Sequence, residues 1–91
     1  MITRHLRIHG RVQGVGFRQS LQASATAAGL EGWVRNRRDG TVEAVLSGDD
    51  ARMQAVVDWT YQGPGLARVV HVDVCECEPP EAAGFAILPT A

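Results

Sequence analysis

Four segments alternate apolar and polar residues, two carry apolar residues at helical spacing, and glycine- or proline-rich breaks separate them. These observations predict an α+β fold ordered β-α-β-β-α-β, with a short extra C-terminal strand. Each helix has one apolar stripe and each strand one apolar face. The economical packing sets two helices on one face of an antiparallel sheet, a ferredoxin-like two-layer sandwich. Right-handed crossovers make the first and second strands parallel, with the third between them. The end of the first strand (Gly10) and of the second (Asn36, Arg37) therefore emerge at the same edge of the sheet.

The first strand is read over residues 4–9, with Arg4, Leu6 and Ile8 on one face and His5, Arg7 and His9 on the other. Gly10, Gly14 and Gly16 break it. Phe17, Leu21, Ala25 and Ala28 follow at helical spacing, and Gly29 stops that helix. Gly32 to Arg37 is the second strand, and Asp39-Gly40 a hairpin turn. In the third strand Val42, Ala44 and Leu46 alternate with Thr41, Glu43 and Val45, until Ser47-Gly48-Asp49. Asp49 or Asp50 caps the second helix, whose stripe is Met53, Val56, Val57 and Tyr61. Gly63-Pro64-Gly65 ends it. Val70, Val72 and Val74 alternate with His71, Asp73 and Cys75 in the fourth strand, which Pro79-Pro80 closes. Phe85 to Leu88 forms the last strand, and Pro89 ends it.

With 91 residues, 45% hydrophobic, 21% charged and a net charge of −1, the sequence predicts one globular domain spanning residues 1–91. No apolar run approaches a membrane span, which needs about 20 residues. Arg4 and Arg7 lie close to Met1 with no long apolar stretch behind them, which predicts no secretory signal and a cytoplasmic location. Cys75 and Cys77 cannot build a disulfide framework and lack the ligand set of a structural zinc, so they are expected to be strand thiols. All nine basic residues are arginines, and Arg11, Arg18, Arg35, Arg37 and Arg38 fall in two short segments. The overall charge argues against a nucleic-acid footprint, whereas clustered arginines suit a compact anion site.

The segment from Gly10 to Arg18 joins a strand to a helix. Its glycines let backbone N–H groups turn toward one point, and the helix that follows adds its N-terminal field. Arg18 lies in the first helical turn, within reach of an anion held there. The segment matches neither a Walker loop nor the dinucleotide fingerprint, because Gln19 stands where a third glycine belongs. On physical grounds alone it is either an anion cradle or a plain turn.

The stretch Ile8-His9-Gly10-Arg11-Val12-Gln13-Gly14-Val15-Gly16-Phe17-Arg18 resembles the first signature of the acylphosphatases. The stretch Gly32-Trp33-Val34-Arg35-Asn36-Arg37-Arg38-Asp39-Gly40-Thr41-Val42, followed by Gly48, resembles the second. The likeness runs from about residue 4 to residue 74. It implies a hydrolase of acyl phosphates that uses no metal or other cofactor and releases a carboxylate and inorganic phosphate. By that resemblance Arg18 binds the phosphoryl group, the N–H groups of Gln13 to Arg18 complete the cradle, and Asn36 holds the attacking water. The family's last strand often finishes with an aromatic or basic residue. This chain finishes Phe85-Ala86-Ile87-Leu88-Pro89-Thr90-Ala91, so a frayed end is expected.

Other residues carry plainer expectations. His5 and His9 could ligate a metal, but no third ligand is placed, so surface histidines are expected. Phe17 and Trp33 are expected in the core, and Glu43 on the strand surface. Two further readings compete with the enzyme. An RNA-binding module would show aromatics on its central strands. Here His5, Arg7, His9, Thr41, Glu43 and Val45 occupy that face instead. A related domain acting on carbamoyl phosphate inside a larger maturation protein is the other, disfavoured by a chain of one domain's length. The expected partner is a small-molecule acyl phosphate, with no nucleic acid and no membrane, and the expected state is a monomer.

Overall fold

The computed structural model describes all of residues 1–91. The chain forms β1 (Ile2–Arg11), α1 (Phe17–Ala27), β2 (Glu31–Asn36), β3 (Val42–Gly48), α2 (Asp50–Thr60), β4 (Arg68–Glu76) and β5 (Phe85–Ile87). The sheet order is β4-β1-β3-β2-β5. β3 runs antiparallel to both β1 and β2, so β1 and β2 are parallel with β3 between them, as crossover handedness requires. The sheet is mixed rather than wholly antiparallel, because β5 joins β2 in parallel, with Trp33 opposite Ala86. No helix is long and apolar enough to cross a membrane.

The core lies between the helices and one face of the sheet. Leu6, Ile8, Val34, Val42, Ala44 and Leu46 from the strands meet Phe17, Leu21, Ala25, Met53, Val56 and Val57 from the helices. The Phe17 and Trp59 rings, tilted at 51° with centroids 5.4 Å apart, join the two helices. α1 ends in a Schellman motif: the Gly29 N–H donates to Thr26 O, and the Leu30 N–H to Ala25 O at 2.9 Å. α2 is capped by Asp49, whose carboxylate accepts the Arg52 N–H at 2.9 Å.

Three expectations about the ends and phases of the elements fail for identifiable reasons. Tyr61 lies past the end of α2 and is exposed; Thr60 takes the buried place, its hydroxyl donating to Val57 O. In β4 only Val72 is buried, whereas Val70 is 81% exposed. A bulge makes the change: β1 pairs His9 with His71 but Gly10 with Val69, so Val70 is the extra residue and Val69 turns to the core. The C-terminal end is not frayed. Leu88 N–H donates to Val34 O, Ala91 N–H to Asn36 O at 3.0 Å, and Arg38 N–H to Ala91 O at 2.8 Å. The tether is made by backbone groups, which no terminal side chain reports.

Gly32 brings β2 against β3 in a conformation with φ of +140°. A Cβ there would run into the Val45 carbonyl. Gly32→Ala is expected to cost at least about 1–3 kcal/mol, the strain of an L side chain in that region. Urea denaturation checks it, and an unchanged midpoint would show that the strand relaxes freely.

Candidate active site

The glycine loop spans two fully buried anchors. Val12 at one end and Phe17 at the other are each 1% exposed, so the four residues between them are held at fixed ends. Gly16 is the N-cap of α1 and adopts the left-handed conformation (φ 78°, ψ 19°), which favours glycine. It offers no side-chain cap, and the first turn of α1 has no acidic residue. α2 is the contrast, with Asp49 capping it and Asp50 in its first turn. The N-terminal field of α1 is thus left for an external anion. The backbone N–H groups of Gln13, Gly14, Val15 and Gly16 have no backbone acceptor. Those of Phe17, Arg18 and Gln19 belong to the helix turn that cannot bond internally.

Arg18 is half-buried in that turn, and its guanidinium takes part in none of the chain's ion pairs. Asn36 ends β2 on the helix-covered face that also carries Val34. Its Oδ1 is buried without a partner. An orphaned buried polar atom costs about 1–3 kcal/mol and calls for a reason such as a bound water or a catalytic role. The loop and the hairpin after Asn36 are joined directly: the Gln13 side-chain amide donates to Arg37 O at 2.7 Å and to Thr41 O at 2.9 Å. The two arginine-bearing segments meet where the crossover argument put them.

The acylphosphatase family model matches residues 4–87. An acylphosphatase of Acidovorax sp. (strain JS42) is 55% identical over 84 residues, covering 92% of this chain and 87% of that one. The chain belongs to the acylphosphatase family. The crystal structure of acylphosphatase from Bacillus subtilis superposes with a TM-score of 0.90 at 36% identity, covering 97% of this chain and 99% of that one. Full-length HypF, described in a phosphate- and nucleotide-bound form, contains a similar unit at 28% identity and TM-score 0.89, covering 98% of this chain and 12% of HypF.

Behind this acylphosphatase-type loop, the helix-free face of the sheet holds a cluster the sequence did not reveal. Glu43 is not a surface residue; it is 7% exposed. Its Oε2 meets His5 Nε2 at 2.7 Å, and its Oε1 accepts from Arg35 Nε at 2.8 Å and from Arg37 Nη1 at 3.3 Å. Burial pushes the Glu43 pKa up, but the hydrogen bonds from His5 and Arg35 and the Arg35 charge outweigh it, and the net shift is downward. The two arginines flanking Asn36 are therefore anchored on one carboxylate. Arg7 donates to Asp39 Oδ2 at 3.1 Å, while its Nε is buried without a partner. Asp39 closes the turn by accepting from the Thr41 hydroxyl and N–H, bonds that lower its pKa.

The remaining sequence candidates lie outside this site. Trp33 is half-buried on the helix-free face under the Arg35 guanidinium, 4.8 Å from the ring centroid, rather than in the core. His9 and His71 both turn Nε2 to the Asp73 carboxylate, which lowers the Asp73 pKa. His5 is engaged by Glu43, so His5 and His9 do not converge. No group of three or more His, Cys, Asp and Glu side chains is gathered to hold a metal ion. Cys75 and Cys77 are free thiols on and just beyond β4.

Proposed function

We propose that residues 1–91 act as one catalytic unit that hydrolyses the carboxyl–phosphate bond of acyl phosphates. The observation that carries the residue assignment is the pairing of an uncapped helix N-terminus and an Arg18 outside every ion pair with the unpartnered Oδ1 of Asn36, joined by Gln13. The N–H groups of Gln13 to Arg18 and the Arg18 fork bind the phosphoryl oxygens. Asn36 holds a water in line behind the phosphorus.

The water oxygen forms a bond to phosphorus as the bond to the acyl oxygen breaks, and that electron pair leaves with the carboxylate. A mixed anhydride has a good leaving group, so no strong general acid is required. The loose transition state concentrates charge on the equatorial oxygens, where fixed N–H dipoles and one cation act. Asn36 is neutral and orients the water without deprotonating it; the proton passes to a phosphoryl oxygen. The reading places the chain in the cytoplasm without a nucleic-acid partner. A free thiol pair and a helix-free face of ion pairs rather than stacked aromatics support it.

Benzoyl phosphate hydrolysis in EDTA tests this. The wild type is expected to be active, and Asn36→Ala to lose about 10²-fold or more in kcat while folding normally, the scale of removing one preorganised group. Full activity in a folded Asn36→Ala protein would remove Asn36 from the site. One second reading is that of a related domain acting on carbamoyl phosphate, and the similar unit inside the longer HypF chain keeps a multidomain context in play. A carbamoyl phosphate kcat/KM exceeding that for benzoyl phosphate would select it.

A further inference from the structure

We propose that the Gln13 side chain is a positioning residue that sets the distance between the phosphate loop and the water held by Asn36. The inference rests on the site reading above and adds a role for a side chain whose backbone alone was expected to act.

The geometry assigns the role. One planar amide has two hydrogens about 120° apart in direction, and Gln13 uses both. They reach Arg37 O at 2.7 Å and Thr41 O at 2.9 Å, the carbonyls that bracket the hairpin immediately after Asn36. No other side-chain hydrogen bond joins the loop to this hairpin. Val12 and Phe17 fix the loop to the core, and the Glu43 cluster fixes Arg35 and Arg37 from the opposite face. Gln13 is the direct side-chain connection between those two rigid parts.

The same bonds show that Gln13 is not needed to satisfy the hairpin. Arg37 O also accepts the Gly40 N–H at 3.1 Å, and Thr41 O also accepts the Arg37 N–H at 2.8 Å. Both carbonyls keep a partner when the amide is removed. Gln13 is half-buried, so water can replace its hydrogens. The hairpin survives while its registration on the loop slackens. A misplacement on the order of 1 Å between reacting groups can cost about 10²-fold in rate. The cradle and Arg18 remain, so phosphate binding should hardly change.

The test compares Gln13→Met, which keeps length and loses both donors, with Gln13→Glu, which turns a carboxylate toward the two carbonyls. Benzoyl phosphate kinetics, inhibition by inorganic phosphate and thermal melting are measured for each, alone and with Asn36→Ala. Gln13→Met is expected to lower kcat about 10–100-fold, with KM and the phosphate inhibition constant within about threefold and melting shifted only a few degrees. Gln13→Glu should lose more. In the Asn36→Ala background, Gln13→Met should cost less than about twofold, because nothing is left to position. An unchanged kcat, a phosphate affinity that falls in step with kcat, or full additivity with Asn36→Ala would each overturn the proposal. Should Gln13→Met fail to fold, the argument that the hairpin survives without the amide is wrong and the proposal falls with it. If Asn36→Ala and Arg18→Ala are both as active as wild type, the site reading itself fails, whatever Gln13 does.

Discussion

Arg18→Ala is expected to lower kcat/KM for benzoyl phosphate by about 10²–10³-fold while leaving the melting temperature nearly unchanged. The two halves of this result come from one observation. Arg18 is half-buried at the start of α1, and its guanidinium forms no ion pair within the chain. Its removal therefore breaks no internal charge pair, and the stability change should stay near the roughly ±0.5 kcal/mol of ordinary surface substitutions. The rate is a different matter. Charge spread over phosphoryl oxygens in the transition state meets the N–H groups of the loop, the helix field and this one cation. Arg18→Lys restores the charge but not the planar fork, so it should recover only part of the loss. A folded Arg18→Ala protein with wild-type kcat/KM would mean that the loop and helix terminus suffice, and the assignment of Arg18 would be dropped.

How much of this was legible in the sequence depended on whether a feature is local. The loop and its helix were legible because glycines and apolar spacing act over a few residues, and handedness then joined Gly10 to Asn36 across the sheet. Period-two alternation gives the phase of a strand, but it does not say what lies over the second face. Glu43 alternates correctly away from the helices, yet His5, Arg35 and Arg37 fold over it and shield it from water. A bulge resets the phase, and for that reason Val70 and Val72 do not share the core despite their spacing. The Gln13 amide reaches partners 24 and 28 residues away, a distance at which no local pattern operates. The bonds of Ala91 are made by the backbone and depend on β5 having joined β2, which the residue types near the end do not encode.

Glu43→Gln should be the most informative stability variant on the helix-free face. The amide keeps one oxygen but loses the charge, and its NH2 group must face either His5 or the two arginines. Removing one partner of a buried ion pair costs about 3–5 kcal/mol. The Arg35, Arg37 and His5 side chains are 28%, 32% and 28% exposed, so water solvates the abandoned partners in part. A loss of roughly 2–3 kcal/mol at pH 7 is expected after that discount. The pH dependence separates charge from packing. The Glu43 pKa is lowered in the folded protein from an ordinary 4.5. A depressed carboxylate contributes stability that is present above its unfolded value and is lost as pH falls through the folded one. The wild type should therefore lose its advantage over Glu43→Gln on acidification below about pH 4.5. Asp39 and Asp73, also shifted down, titrate in both proteins and cancel in the difference. Urea denaturation of the two proteins from pH 7 to pH 3 reads the gap directly. A gap that narrows toward pH 3 ties the stability to the Glu43 charge; a gap constant across the range would assign it to packing and remove the carboxylate as the anchor of Arg35 and Arg37.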